Sequence, residues 1–246
     1  MGTSWKQELV IDSRDVDGFG NCKASALLGH LQEAATQAAE HGGFGRDILL
    51  EKYRGFWMIS RVWARLERPL HWNEKITIHT WHRGGRGAVS YRDYDIYCGG
   101  QLVGEGVSAW VLTNWDTHQL MRLRTVEEMS RTDGGDLCKV KTLAKIKLPE
   151  DLEKEQLRPM RYSDTDINGH VNNTRYADFA CDAIDMHTRE KGSFLSELQI
   201  DYLAECYPGD VLSLRAGQQD GDYFVCGKNQ QGKPCFEARM VFSSVE

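Results

Sequence analysis

Residues 165–187, TDINGHVNNTRYADFACDAIDMH, decide how this chain folds, because their layout occurs once before, as VDGFGNCKASALLGHLQEAATQAA at 16–39. Each stretch is a turn bearing Asp and Gly, followed by apolar residues at helical spacing. In the earlier copy Leu27, Leu28, Leu31, Ala34, Ala35 and Ala38 share one side, and Ser25 is the expected cap. In the later copy Tyr176, Phe179, Ala180, Ala183, Ile184 and His187 recur three and four apart, after a start expected near Asn172 or Asn173. Both helices have a face to bury.

Outward from each helix, segments rich in Val, Ile, Trp, Tyr and Thr, punctuated by Gly or Asn, read as antiparallel strands. They fall at about 57–67, 75–82, 89–98 and 102–114, and again at 194–206, 211–216, 223–227 and 236–243. SRVWARLERPLHWNEKITI from Ser60 aligns without gaps on SELQIDYLAECYPGDVLSL from Ser196, an offset of 136, whereas Gly20 against Gly169 gives 149. The difference, 149 − 136 = 13 residues, is an insertion in the first copy around HGGFGRDILLEKYRG. It is a candidate pocket wall or lid.

The charged, weakly periodic stretch between the copies places a linker at 131–157, with an N-terminal domain at 1–130 and a C-terminal domain at 158–246. One long helix against a strongly curved antiparallel sheet, made twice, is best satisfied when the two copies pack together. The expected fold is therefore α+β, a fused pseudo-dimer.

Composition narrows the function. With 246 residues, 41% hydrophobic, 27% charged and only 5 Pro, the chain is a packed globular protein and not a disordered or collagen-like one. No apolar run approaches the ~20 residues of a bilayer crossing, and MGTSWKQELVID lacks a basic n-region and an apolar h-region. No stable membrane insertion and a cytoplasmic location are expected. Net charge is −6 without a long basic run, so nucleic acid is not an expected partner.

Seven cysteines, Cys22, Cys98, Cys138, Cys181, Cys206, Cys226 and Cys235, are odd in number and never spaced C-x-x-C. Neither a disulfide framework nor a zinc site is indicated, and reduced thiols are expected. The chain has no G-x-S-x-G, P-loop, G-x-G-x-x-G or H-E-x-x-H motif, which removes hydrolysis by a serine elbow. Gly84–Gly87, GGRG, reads as a hairpin turn with exposed Arg83 and Arg86 rather than a phosphate loop. His79, His82 and His118 are isolated and are assigned no metal, and the tryptophans at 57, 63, 72, 81, 110 and 115 are read mostly as core.

The chemistry concentrates in the second copy. Asp166, Asn168 and His170 stand at alternate positions just before a helix, and if the segment is extended they share a side near free backbone N–H groups. Such a set suits attack on a carbonyl. The plainer reading is that Asp and Asn before a helix are caps and turn-formers. The repeat bears on the choice, because the first copy has Asp17, Phe19 and Asn21 at the matching places, and a cap does not need His. On the facing strand Glu205 and Cys206 match Pro69 and Leu70. Only the second copy keeps a polar set; the first is suited to hold apolar substrate.

DINGHVNN before a helix, YLAEC about thirty residues later and the two-copy layout resemble the acyl-acyl carrier protein thioesterases, which have tandem hotdog domains. The first copy, with SRDVDGFGNCKASALLGHLQEAA and SAWVLTNWDTHQLMRL, resembles that family's N-terminal half, so the likeness covers nearly the whole chain. The resemblance implies hydrolysis of a fatty acyl thioester on acyl carrier protein, with no cofactor beyond the phosphopantetheine of the substrate. It carries the family's polar set onto Asp166, Asn168, His170 and Glu205, and matches Cys206 to a cysteine once proposed as a papain-like nucleophile.

Two mechanisms stay open at this point. In one, Glu205 and His170 position and deprotonate water, Asn168 orients it or the carbonyl, and Asp166 holds the loop or the imidazole. In the other, Cys206 attacks after activation by His170 and Asn168. Successive strand residues face opposite ways, so Glu205 and Cys206 cannot both face His170 on a regular strand. Water is favoured, because a buried structural thiol is the default for Cys. The alternatives in function are a hotdog thioesterase for acyl coenzyme A and a non-catalytic acyl- or carrier-binding module. A monomer and a homodimer are both compatible with the sequence.

Overall fold

The computed structural model describes residues 4–126, 143–190 and 192–245. Residues 131–142 of the expected linker, and Cys138 with them, lie outside the described residues. The chain forms two compact units, one of Met1–Ile11, Gly29–Ala64 and Asn73–Leu143, the other of Asp12–Leu28, Arg65–Trp72 and Ala144–Glu246.

The first unit orders its strands β1 (Trp5–Val10), β3 (Lys75–Arg86), β4 (Val89–Cys98), β5 (Gln101–Asn114) and β2 (Gly55–Leu66). Helix α1 (Ala24–Gly42) carries the apolar side read from the sequence: Leu27, Leu28, Leu31, Ala34, Ala35 and Ala38 are all buried. Leu31 lies against β5 at Gly106, where an added Cβ would stand 3.5 Å from its Cδ1 and 3.1 Å from the Trp63 carbonyl. The helix distance is an ordinary van der Waals contact, and the tight one is to the Trp63 backbone of β2, which a residue without a side chain relieves.

The insertion of the first copy becomes α2 (Arg46–Tyr53) and its flanks. Phe44 and Leu49 pack with Leu112 and Val126, and the Trp57 indole N–H donates to the Phe44 carbonyl at 3.3 Å. Arg54, which ends α2 in the left-handed region, accepts the Trp115 N–H on its carbonyl at 2.7 Å and pairs with Asp116. The segment is thereby pinned onto its own unit's core.

In the second unit the order is β7 (Ser193–Tyr202), β10 (Pro234–Ser244), β9 (Asp222–Lys228), β8 (Val211–Gln219) and β6 (Lys154–Pro159). Helix α3 (Arg175–Ala183) lies on this sheet with Tyr176, Ala177, Phe179, Ala180 and Ala183 buried. The Tyr176 ring meets Phe179, Tyr202 and Phe236 at centroid distances of 5.1–5.8 Å. The Arg158 guanidinium covers the Phe179 ring at 4.6 Å.

Several expectations are corrected. Helix α1 starts at Ala24, with the Lys23 carbonyl accepting the Leu27 N–H, so Ser25 sits in the first turn and is not the cap. Helix α3 starts at Arg175 rather than at Asn172 or Asn173, and His187 falls in a short 3-10 turn beyond it. Arg83 is not exposed: it pairs with the fully buried Asp93 on the neighbouring strand. Trp72 and Trp115 are exposed and not core. Strand β7 ends at Tyr202, which leaves Glu205 and Cys206 in irregular chain beyond it.

Candidate active site

The segment before α3 is a tight turn and not an extended run. The Asp166 N–H donates to the His170 carbonyl at 3.0 Å, and the Gly169 N–H donates to the Asp166 carbonyl at 3.1 Å. The Asp166 carboxylate takes the Asn168 N–H at 2.8 Å, and Gly169 turns the chain at φ +77°. A left-handed φ at that point favours Gly, which closes the turn without strain.

The first copy repeats this geometry bond for bond at offset 149. Asp17 N–H donates to the Asn21 carbonyl (2.8 Å), Gly20 N–H to the Asp17 carbonyl (3.0 Å) and Phe19 N–H to the Asp17 carboxylate (2.9 Å), with Gly20 at φ +81°. The chemistry on that shared frame differs, as Phe19 and Asn21 stand where the second copy has Asn168 and His170.

A second shared bond sets the facing residues. The Val171 N–H donates to the Cys206 carbonyl at 2.8 Å, as the Cys22 N–H does to the Leu70 carbonyl at 2.7 Å. That clamp brings the residues just before Val171 and Cys206 together. The His170 Nδ1 lies 3.5 Å from Glu205 Oε1, and the two side chains are 32% and 31% exposed. Both side chains are therefore open to solvent.

Cys206 does not share this access. It is 1% exposed, on the interior side of a chain whose next residues outward are Glu205 and Tyr207. A hydrogen bond with Cys235 and burial push its thiol well above the usual range. Such a thiol is a poor source of thiolate.

The base of the turn rests on a residue that the sequence reading passed over. Asp164 is fully buried, and its Oδ1 accepts from Arg158 at 2.9 Å and from Arg175 at 3.3 Å. Its Oδ2 takes the Arg161 N–H at 2.8 Å, and its carbonyl takes the Asn172 N–H at 2.8 Å. The signal was in the repeat: Asp15, 149 residues earlier, accepts the Asp12 N–H on its carboxylate and the Lys23 N–H on its carbonyl.

The helix start offers less than expected. The Thr174 N–H is bound to Asn172 Oδ1, the Arg175 N–H to the Asn172 carbonyl and the Ala177 N–H to the Thr174 carbonyl. These three donors are spent within the turn. Asn168 sits exposed at the tip. Tyr207, also unread from the sequence, donates its hydroxyl to Glu205 Oε2 at 2.9 Å. Among the described residues no group of three His, Cys, Asp or Glu is placed to hold a metal ion.

Two family models, for the acyl-ACP thioesterase N-terminal and C-terminal domains, match residues 2–129 and 146–241. The chain belongs to the acyl-ACP thioesterase family. Within it, an oleoyl-acyl carrier protein thioesterase of Coriandrum sativum is 26% identical over 97% of this chain and 70% of its own length. A dodecanoyl-[acyl-carrier-protein] hydrolase of Cinnamomum camphora is 28% identical over 86% of this chain and 58% of its own. The chain thus spans between about half and 70% of the length of the plant relatives it matches. An acyl-ACP thioesterase structure from Bacteroides thetaiotaomicron has a TM-score of 0.87 at 23% identity, covering 98% of both chains. The family's fold, the hotdog of helix and antiparallel sheet, is the fold of this chain. No helix among the described residues is long and apolar enough to cross a membrane.

Proposed function

We propose that this protein hydrolyses the thioester of fatty acyl-acyl carrier protein and releases free fatty acid. Family membership and the names of the relatives support the substrate class, and the observation that carries the chemistry is the His170–Glu205 pair at 3.5 Å beside a buried Cys206. In this reading the pair removes a proton from water, whose oxygen bonds to the thioester carbonyl carbon. The C–S bond then breaks, the phosphopantetheine sulfur leaves and takes up the proton, and the acid departs. No covalent acyl-enzyme and no cofactor enter this route.

Asn168, at the exposed tip, orients the water or the carbonyl, and Asp166 acts by holding the turn through the Asn168 N–H. A cytoplasmic site of action belongs to the same proposal. The test is incubation of the purified protein with acyl carrier protein charged with a range of chain lengths, and with the matching coenzyme A esters. Release of fatty acid with a higher kcat/KM on the carrier protein is expected. Preference for coenzyme A would move the assignment to that donor, and bound acyl group without release from either would contradict hydrolysis.

A further inference from the structure

We infer that Tyr207 is a positioning residue for the hydrolysis proposed above, its hydroxyl fixing the Glu205 carboxylate and its ring fixing the His170 imidazole. The inference rests on that reading of the site and adds a third side chain to it. The Tyr207 hydroxyl donates to Glu205 Oε2 at 2.9 Å, while the other carboxylate oxygen, Oε1, is the one that faces His170 Nδ1 at 3.5 Å. One oxygen is thus tethered and its twin is aimed. The Tyr207 ring stands edge-on to the imidazole, with centroids 5.1 Å apart and planes at 72°, an arrangement aromatic pairs favour.

The tyrosine is itself held. Residues 207–210, Tyr-Pro-Gly-Asp, form a turn in which the Tyr207 N–H donates to Asp210 Oδ2 at 2.8 Å and the Asp210 N–H returns to the Tyr207 carbonyl at 3.0 Å. Gly209, at φ +97°, takes the left-handed place that such a Pro-Gly turn requires. The first copy uses the same register position in a related way. There His71, 136 residues earlier, bonds through Nδ1 to the Gly20 carbonyl of its own turn at 3.1 Å. A ring at this position meets the turn in both copies, and in the second its hydroxyl donates to a carboxylate. The Tyr207 phenol is accordingly pushed up from its ordinary range, chiefly by the bond to Glu205.

The experiment is a double-mutant cycle on saturating acyl-acyl carrier protein. Tyr207→Phe keeps the ring and removes the donor, and kcat is expected to fall about 3–10-fold with KM within about twofold. In a Glu205→Ala background the same substitution should change kcat by less than about 1.5-fold, since the hydroxyl then has nothing to hold. Wild-type kcat in Tyr207→Phe, or an equal loss in both backgrounds, would overturn the inference. Full activity in Glu205→Ala alone would overturn both it and the proposed water mechanism. A second measurement needs no turnover: with 13C-labelled tyrosine, the Tyr207 phenol should titrate above ordinary tyrosine and drop in Glu205→Ala. An ordinary, unresponsive titration would dispose of the contact even if no thioester were cleaved.

Discussion

His170 Nδ1 and Glu205 Oε1 face each other at 3.5 Å, longer than a formed N–H···O bond, with about one-third of each side chain open to solvent. In the proposed mechanism the pair closes on a water or a substrate carbonyl, since catalytic hydrogen bonds commonly tighten only once substrate is bound. What holds them in register is backbone: the Val171 N–H to the Cys206 carbonyl, a bond present in both copies of the repeat.

If the two groups act as one unit, His170→Ala and Glu205→Ala should each lower kcat by about 10²–10⁴. The double variant should then be little worse than the weaker single variant. Steady-state kcat on one acyl-acyl carrier protein decides it. Losses that multiply would show two independent contributions.

Cys206 should behave as a structural thiol. Burial and the Cys235 hydrogen bond keep it protonated, so a thiol reagent at pH 8 should label it slowly in the native protein and rapidly after denaturation. Peptide mass spectrometry with and without urea reads this directly. Fast native labelling would mean that the side chain reaches solvent.

Asp164 is the electrostatic floor of the turn. Asp164→Ala removes the shared acceptor of Arg158 and Arg175 and leaves two guanidinium groups short of a partner. A loss of about 2–3 kcal/mol in urea unfolding is expected. An unchanged midpoint would show that water replaces the carboxylate there.

At Gly169 the cost comes from the backbone alone. An added Cβ meets nothing within 4 Å, but φ is +77°. Gly169→Ala should therefore destabilise by about 1 kcal/mol and reduce kcat by shifting Asn168 and His170. An Ala variant with full stability and turnover would show that the turn tolerates the strain.

Much of this architecture could be read in advance because a repeat is evidence that propensity is not. The two offsets, 149 and 136, reappear as the same hydrogen bonds in the folded chain; the apolar side of α1 is buried as its spacing required, and that of α3 is buried from Tyr176 to Ala183, while Ile184 is half-buried and His187 is exposed beyond the helix. What was missed has physical causes. Strands β1 and β6 escape a sequence reading because each is a six-residue edge strand with no fully buried side chain. Glu205 was assigned to a strand because LAEC continues a β-prone run, while the clamp from Val171 to Cys206 pulls the chain off the ladder after Tyr202.

The central claim is that water, prepared by Glu205 and His170, and not a Cys206 thiolate, attacks the thioester. The most direct test is kcat for Cys206→Ala and Glu205→Ala measured side by side on one preparation of acyl-acyl carrier protein. The account predicts that Cys206→Ala keeps turnover within about threefold of wild type while Glu205→Ala loses at least about 10²-fold. Near-complete loss in Cys206→Ala, with Glu205→Ala still active, would contradict it.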